Sequence, residues 1–98
     1  AAIRLLPIEV KHHYHAELWT AWRTQLDKLY SSDARAQGAG IYCVLWSGET
    51  DGRRMPTLPA GIARPTSAAD LREALTSLVP EEVGNRLRVV VIDISPVR

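Results

Sequence analysis

Residues 40–47 read GIYCVLWS, and this short apolar run decides the fold class. The run is rich in β-branched and aromatic side chains, is too short for a typical helix, and shows no alternation of apolar and polar residues. Such a run is typical of a strand that is buried on both faces. A second run of this kind, LRVVVIDIS, covers residues 87–95. We therefore expect two doubly buried strands in an α/β sheet.

The segments around these two runs predict a further strand and two helices. Residues 3–11, IRLLPIEVK, predict a strand that begins near Pro7, where a missing N–H group is tolerable. Residues 15–30 carry apolar side chains at the i, i+3/i+4, i+7 spacing of an amphipathic helix. Residues 67–80 predict a second helix, with Ser67 as its N-cap. Strands separated by helices in this order favour an α/β fold of two or three layers.

Composition limits the classes of protein that need to be considered. The chain has 98 residues, of which 46% are hydrophobic and 23% are charged, as in a single soluble domain. The net charge of +1 is too small to indicate a nucleic-acid partner by itself. The single cysteine, Cys43, excludes an intrachain disulfide and predicts a buried thiol in a reducing cytoplasm. No apolar run has the length that spans a bilayer, so we expect no membrane partner.

The stretch PIEVK, residues 7–11, carries the strongest chemical signal. Glu9 and Lys11 share one face of the predicted strand, about 7 Å apart along the backbone. A carboxylate is a typical Mg²⁺ ligand, and a nearby ammonium group can orient the attacking water or neutralise charge on a phosphate. The backbone carbonyl of Val10 is a further candidate ligand. The same spacing is also common in solvated ion pairs, so spacing alone leaves both interpretations open.

With a following helix that contains Gln25 and Tyr30, PIEVK resembles the PD-(D/E)xK nuclease superfamily. The segments HAELWTAWRTQLDKLY and GAGIYCVLW look more narrowly like nuclease-related C-terminal domains of large bacterial proteins. The resemblance places Glu9 and Lys11 on the (D/E)xK pair, and Gln25 on a helical glutamine that positions the active site. It implies a restriction-endonuclease-like core, in which helices flank a mixed sheet. It also implies Mg²⁺ or Mn²⁺ as the cofactor and DNA or RNA as the partner.

The sequence departs from the family pattern in two places. The first acidic residue of that pattern belongs on an earlier strand, so the resemblance implies that residues 1–98 are a single nuclease-like domain without its N-terminal elements. Gln25 and Tyr30 are five residues apart where the family has four, so Tyr30 is equally a core residue. Three functional classes follow: a metal-dependent nuclease, a catalytically inactive module for binding or homodimerisation, and an unrelated α/β domain.

Three histidines follow the predicted strand, at positions 12, 13 and 15. Imidazoles bind transition metals, and His12 and His15 would share one face of a helix. Histidines at the start of a helix are more often exposed or capping, and no cysteine lies nearby in the sequence. His12 is also a candidate contact for a substrate phosphate, because it is adjacent to Lys11.

Other side chains give weaker signals for nucleic-acid binding. Arg53 and Arg54 lie in a loop rich in glycine and proline, and adjacent arginines there can contact phosphates or simply keep the surface soluble. Trp19 and Trp22 can stack on bases, but their helical spacing with leucines favours core packing. Asp93 sits near the end of an apolar strand, where both a structural role and a role in a site are open.

Overall fold

Three strands form the sheet in this computed structural model, which describes residues 8–24, 40–48, 54–81 and 86–96. The strands are β1 (Ile8–His12), β2 (Gly40–Trp46) and β3 (Leu87–Asp93). They lie in the order β1-β2-β3, and both pairings are parallel. The α/β class and the three strands predicted from the sequence are confirmed. The described sheet is parallel throughout, whereas the expected sheet was mixed.

The first predicted helix begins later than its apolar spacing indicates. Residues 16–20 form turns, and a helix, α1, is described over residues 21–24. The N–H of Leu18 donates to the carbonyl of His15 at 3.0 Å, which is an i to i+3 bond of the tight-turn type. The Nδ1 atom of His15 also accepts from the N–H of Glu17 at 3.0 Å, so a side chain competes with helical bonding here. Residues 25–30 lie outside the described residues.

The second helix, α2 (Ala68–Leu78), begins where its sequence predicts. Ser67 is the N-cap, and its Oγ accepts from the N–H of Asp70 at 3.1 Å. The carboxylate of Asp70 accepts from the hydroxyl of Thr66 at 2.9 Å and from the N–H of Thr66 at 3.3 Å. This carboxylate therefore fixes the position of Thr66, the residue before the N-cap, and stabilises the first turn of α2.

The variant Ser67→Ala is expected to lower the free energy of unfolding by about 1 kcal/mol, because an N–H group of the first turn loses its acceptor. Ser77→Ala is the matched control, since the Ser77 hydroxyl is exposed and donates to the Ala74 carbonyl within the same helix. The control is expected to stay within about 0.5 kcal/mol of wild type. Urea unfolding midpoints measure both variants, and equal losses would show that the cap does not stabilise α2.

The hydrophobic core lies on one face of the sheet. Both α2 and the segment that contains α1 pack against this face. Connections between parallel strands are right-handed, so a sheet built in the order β1-β2-β3 receives both connections on the same side. The core therefore lies between two layers, the sheet and the helical segments. Its buried members are Leu18, Trp19, Ala21, Trp22, Tyr42, Val44, Trp46, Leu71, Leu75, Leu87 and Val89.

The opposite face of the sheet is largely open, which corrects the expectation for β3. Ile8 and Val10 on β1 are 55% and 52% exposed, and Ile92 on β3 is 46% exposed. The apolar run in β3 predicts burial on both faces, but the described residues of the two connections that pack against the sheet lie on its other side. Cys43 is 8% exposed, because β2 has a strand on either side of it. The predicted buried thiol is confirmed, and burial raises its pKa.

Candidate functional site

The side chain of Lys11 lies between two carboxylates. Its Nζ atom is 3.3 Å from Oε1 of Glu9 and 4.0 Å from Oε2 of Glu17. The exposed fractions of the three side chains are 19% for Lys11, 34% for Glu9 and 63% for Glu17. Glu9 and Lys11 thus share a face of β1, as the strand period predicts. We call Glu9, Lys11 and Glu17 the carboxylate–lysine cluster.

The turn after β1 brings Glu17 to this cluster. The N–H of His15 donates to the carbonyl of His12 at 3.0 Å, which reverses the chain just beyond the strand. The ring of His15 then accepts from the N–H of Glu17, which fixes the backbone at that residue. Glu17 lies within the amphipathic helix that the sequence predicts over residues 15–30, and no spacing rule pairs it with Lys11.

Tyr42 is a buried residue next to the cluster, and the sequence predicts it only as a strand residue. It lies opposite Glu9 in the β1–β2 register and is fully buried. Its hydroxyl donates to the carbonyl of Leu18 at 2.6 Å. Burial raises the pKa of the Tyr42 hydroxyl, and the negative charges of Glu9 and Glu17 raise it further. The phenol is therefore held neutral, as a hydrogen-bond donor.

The three histidines make three different contacts. The ring of His12 stacks on Tyr14 with centroids 4.9 Å apart. His13 is buried, and its Nδ1 accepts from the N–H of Ser47 at 3.3 Å. His15 holds the turn described above. The expected helix face shared by His12 and His15 does not form, because His12 is the last residue of β1 and residues 13 and 14 are turns. Within the described ranges, no three His, Cys, Asp or Glu side chains are grouped so that they could hold a metal ion.

The remaining candidates for the site are dispersed. The side chain of Val10 points to the face of the sheet opposite the core, so only its backbone carbonyl is left as a ligand. Arg54 is exposed on the loop before α2. Gln25 and Arg53 lie outside the described residues.

The tryptophans belong to the core, as their spacing favours. Trp19 is 7% exposed and Trp22 is 5% exposed. The indole N–H of Trp22 donates to the carbonyl of Trp19 at 2.9 Å, and that of Trp19 donates to the carbonyl of Pro56 at 3.4 Å. The second bond connects the core to the loop that carries Arg54.

Asp93 has a structural role at the end of β3. Its Oδ1 atom accepts from both the hydroxyl and the N–H of Ser95. The hydroxyl contact, and then the backbone contact, lower the pKa of the Asp93 carboxyl. Its carboxylate therefore closes a local turn at the end of β3.

Compared with protein-family models, with curated proteins and with solved structures, the chain shows no match. The fold and the site define a small α/β domain with a parallel three-stranded sheet, two helices and a carboxylate–lysine cluster beside its first strand. In the described part of the chain, no helix has the length and apolar character needed to cross a membrane.

Proposed function

We propose that this chain is a metal-dependent nuclease domain, or one derived from a nuclease, with a restriction-endonuclease-like core. The position of Lys11 carries the proposal: its side chain is mostly buried, and its ammonium group lies within 4.0 Å of two carboxylates from separate segments. The family resemblance of PIEVK supports the same assignment. The buried thiol of Cys43 fits a cytoplasmic protein.

The donor atoms of the cluster suit a hard divalent cation. Mg²⁺ usually takes one or two protein carboxylates and keeps water and phosphate oxygens as its other ligands. Glu9 and Glu17 would supply these carboxylates, so Glu17 takes the place of the acidic residue that the family pattern expects on an earlier strand. When bound, Mg²⁺ or Mn²⁺ supplies Lewis-acid activation of a water molecule.

Lys11 would act on the substrate side of the cluster. Its ammonium group neutralises the charge that grows on the phosphate as water attacks, and it can donate a hydrogen bond to a phosphate oxygen. Tyr42 would act as a positioning residue, because its neutral hydroxyl anchors the Leu18 carbonyl next to Glu17. Arg54, on the exposed loop, is the described residue we assign to nucleic-acid backbone contact. His12 follows Lys11 on β1, so its side chain points to the opposite face of the sheet and we do not assign it to the site.

A catalytically inactive module is the second candidate function, and one observation favours it. Lys11 is already paired with both carboxylates, so its charge has protein partners without any ligand. A group of this kind stabilises the turn after β1 without any ligand. The two functions differ in one measurable property, because only the nuclease needs the cluster to bind a cation.

Cleavage assays with plasmid DNA, linear DNA and RNA in Mg²⁺ or Mn²⁺ test the nuclease. Glu9→Gln and Lys11→Met are each expected to lower the cleavage rate by about 100-fold or more, and Glu17→Gln by a smaller factor. Glu73→Gln and Arg72→Met make the same chemical changes on the exposed face of α2, so they are expected to cleave at the wild-type rate.

Calorimetric titration with Mn²⁺ separates the two candidate functions. The nuclease predicts Mn²⁺ binding that weakens in Glu9→Gln and persists in Glu73→Gln. Cleavage that survives both Glu9→Gln and Lys11→Met would refute the assignment of the site. A wild-type chain that neither cleaves nor binds Mn²⁺ would leave the inactive module as the function.

A further inference from the structure

The ammonium group of Lys11 lies between the carboxylates of Glu9 and Glu17. Its Nζ atom is 3.3 Å from Oε1 of Glu9 and 4.0 Å from Oε2 of Glu17. The two negative charges therefore share one positive charge that the chain itself supplies. A cation that bound both of these oxygens would have to lie in the space that the ammonium group takes.

The surroundings of Lys11 are suited both to holding its ammonium group and to releasing it. Lys11 lies opposite Val44 in the β1–β2 register, and Val44 has no exposed surface. The side chain of Lys11 is 19% exposed, so most of it is covered. Glu17 is 63% exposed, so the cluster is open to solvent on the side of that carboxylate. A lysine ammonium group sits on a flexible stem, so it can move away without a change in the backbone.

The two contacts of Lys11 are weak enough for a divalent cation to replace them. Ion pairs that water can reach contribute little to stability, and the contact with Glu17 is the longer of the two. A divalent cation carries twice the charge of an ammonium group and attracts the same carboxylates more strongly. Held by either carboxylate, it would stand beside the ammonium group and repel it. The cation and Lys11 therefore compete for the same oxygens.

We propose that the contact of Lys11 with Glu9 and Glu17 is autoinhibitory: the ammonium group occupies both carboxylates until a divalent cation displaces it. This inference rests on the proposed nuclease function, because it concerns the cation site of that function. It gives Lys11 two opposed effects. The paired ammonium group weakens cation binding, and the released ammonium group becomes available to a substrate phosphate.

Removal of the Lys11 charge is therefore expected to change cation binding and cleavage in opposite directions. Lys11→Met keeps a long apolar stem and leaves the two carboxylates without their internal partner. Calorimetric titration is expected to show Mn²⁺ binding about tenfold tighter than in wild type. The same variant is expected to lose cleavage, as described above.

Two further variants separate the local charge from other effects of the substitution. Lys11→Arg keeps a positive charge at the cluster and is expected to bind Mn²⁺ within about twofold of wild type. Arg72→Met removes one positive charge from the exposed face of α2, so it changes the net charge by the same amount. It is expected to leave the Mn²⁺ affinity unchanged.

The reactivity of Lys11 tests the displacement in the wild-type chain, so this measurement does not depend on the folding of a variant. The sequence has two lysines, Lys11 and Lys28, and peptide mass spectrometry distinguishes their acetylation. Saturating Mg²⁺ is expected to raise the acetylation rate of Lys11 about threefold or more, with Lys28 as the reference for reagent concentration. In Glu9→Gln with Glu17→Gln, Mg²⁺ is expected to have no such effect.

The outcomes distinguish failure of this inference from failure of the nuclease. Mn²⁺ binding that is equal or weaker in Lys11→Met would overturn the inference, while cleavage by the wild type would leave the nuclease in place. Unchanged acetylation of Lys11 in a wild-type chain that binds Mg²⁺ would also overturn it. Mn²⁺ binding by Lys11→Met alone would support the inference and leave the inactive module as the function. Absence of Mn²⁺ binding in both chains would overturn the inference together with the nuclease.

Discussion

Leu75→Ala is expected to lower the free energy of unfolding by about 3 kcal/mol. Leu75 has no exposed surface and belongs to the core between α2 and the sheet. Truncation removes buried apolar area and leaves a cavity, because α2 is held in place by its neighbouring contacts. A domain of this size typically has a total stability of about 5–15 kcal/mol, so a single truncation removes a large share of it.

Tryptophan fluorescence during urea unfolding measures this effect directly. Trp19, Trp22 and Trp46 are all buried in the same core, so their emission reports its loss. Leu78→Ala is the matched control, since Leu78 lies on the same helix but is only partly buried. Its expected cost is about 1 kcal/mol. Equal costs for Leu75→Ala and Leu78→Ala would show that α2 does not present this face to the sheet.

Tyr42→Phe is expected to lower stability by about 1–3 kcal/mol at neutral pH. The substitution keeps the ring and removes the hydroxyl that donates to the carbonyl of Leu18. That carbonyl then loses its donor in a buried place.

The cost of Tyr42→Phe should shrink at alkaline pH. Burial and two carboxylates raise the pKa of Tyr42 in the folded state, whereas in the unfolded state it stays near its usual value of about 10. Above about pH 10 the unfolded chain releases this proton and the folded chain keeps it, so wild-type stability falls by up to about 1.4 kcal/mol per pH unit. The phenylalanine variant lacks this contribution.

Urea midpoints between pH 7 and pH 11 test this sign. The curves for wild type and Tyr42→Phe are expected to converge as the pH rises. Curves for Tyr42→Phe that stay parallel throughout would mean that the folded state does not resist ionisation of Tyr42.

Local sequence patterns predict those strands, caps and strand faces that depend on interactions between residues near each other in the chain. The apolar runs at 40–47 and 87–95 became β2 and β3, because β-branched residues between turn-forming segments favour strands. Ser67 caps α2 because its hydroxyl reaches a backbone N–H only three residues away. The shared face of Glu9 and Lys11 follows from the two-residue period of a strand.

Features that depend on one particular hydrogen bond, or on contacts between separate segments, do not follow from local sequence patterns. Glu17 approaches Lys11 because a histidine ring reshapes the turn after β1, and apolar spacing carries no information about that bond. Tyr42 bonds the carbonyl of Leu18, 24 positions earlier in the chain. The exposed side of β3 depends on which face receives the connections, and the uniform run VVVI does not distinguish the two faces.

The central strand, β2, also separates two surfaces of the sheet. Tyr42 points toward the carboxylate–lysine cluster, and its direct neighbour Cys43 points to the face of the sheet opposite the core. Only the thickness of one backbone separates the two surfaces, since successive side chains of a strand point to opposite sides. A chemical label attached to Cys43 would therefore mark the face opposite the core. It would leave the residues of the carboxylate–lysine cluster chemically unchanged.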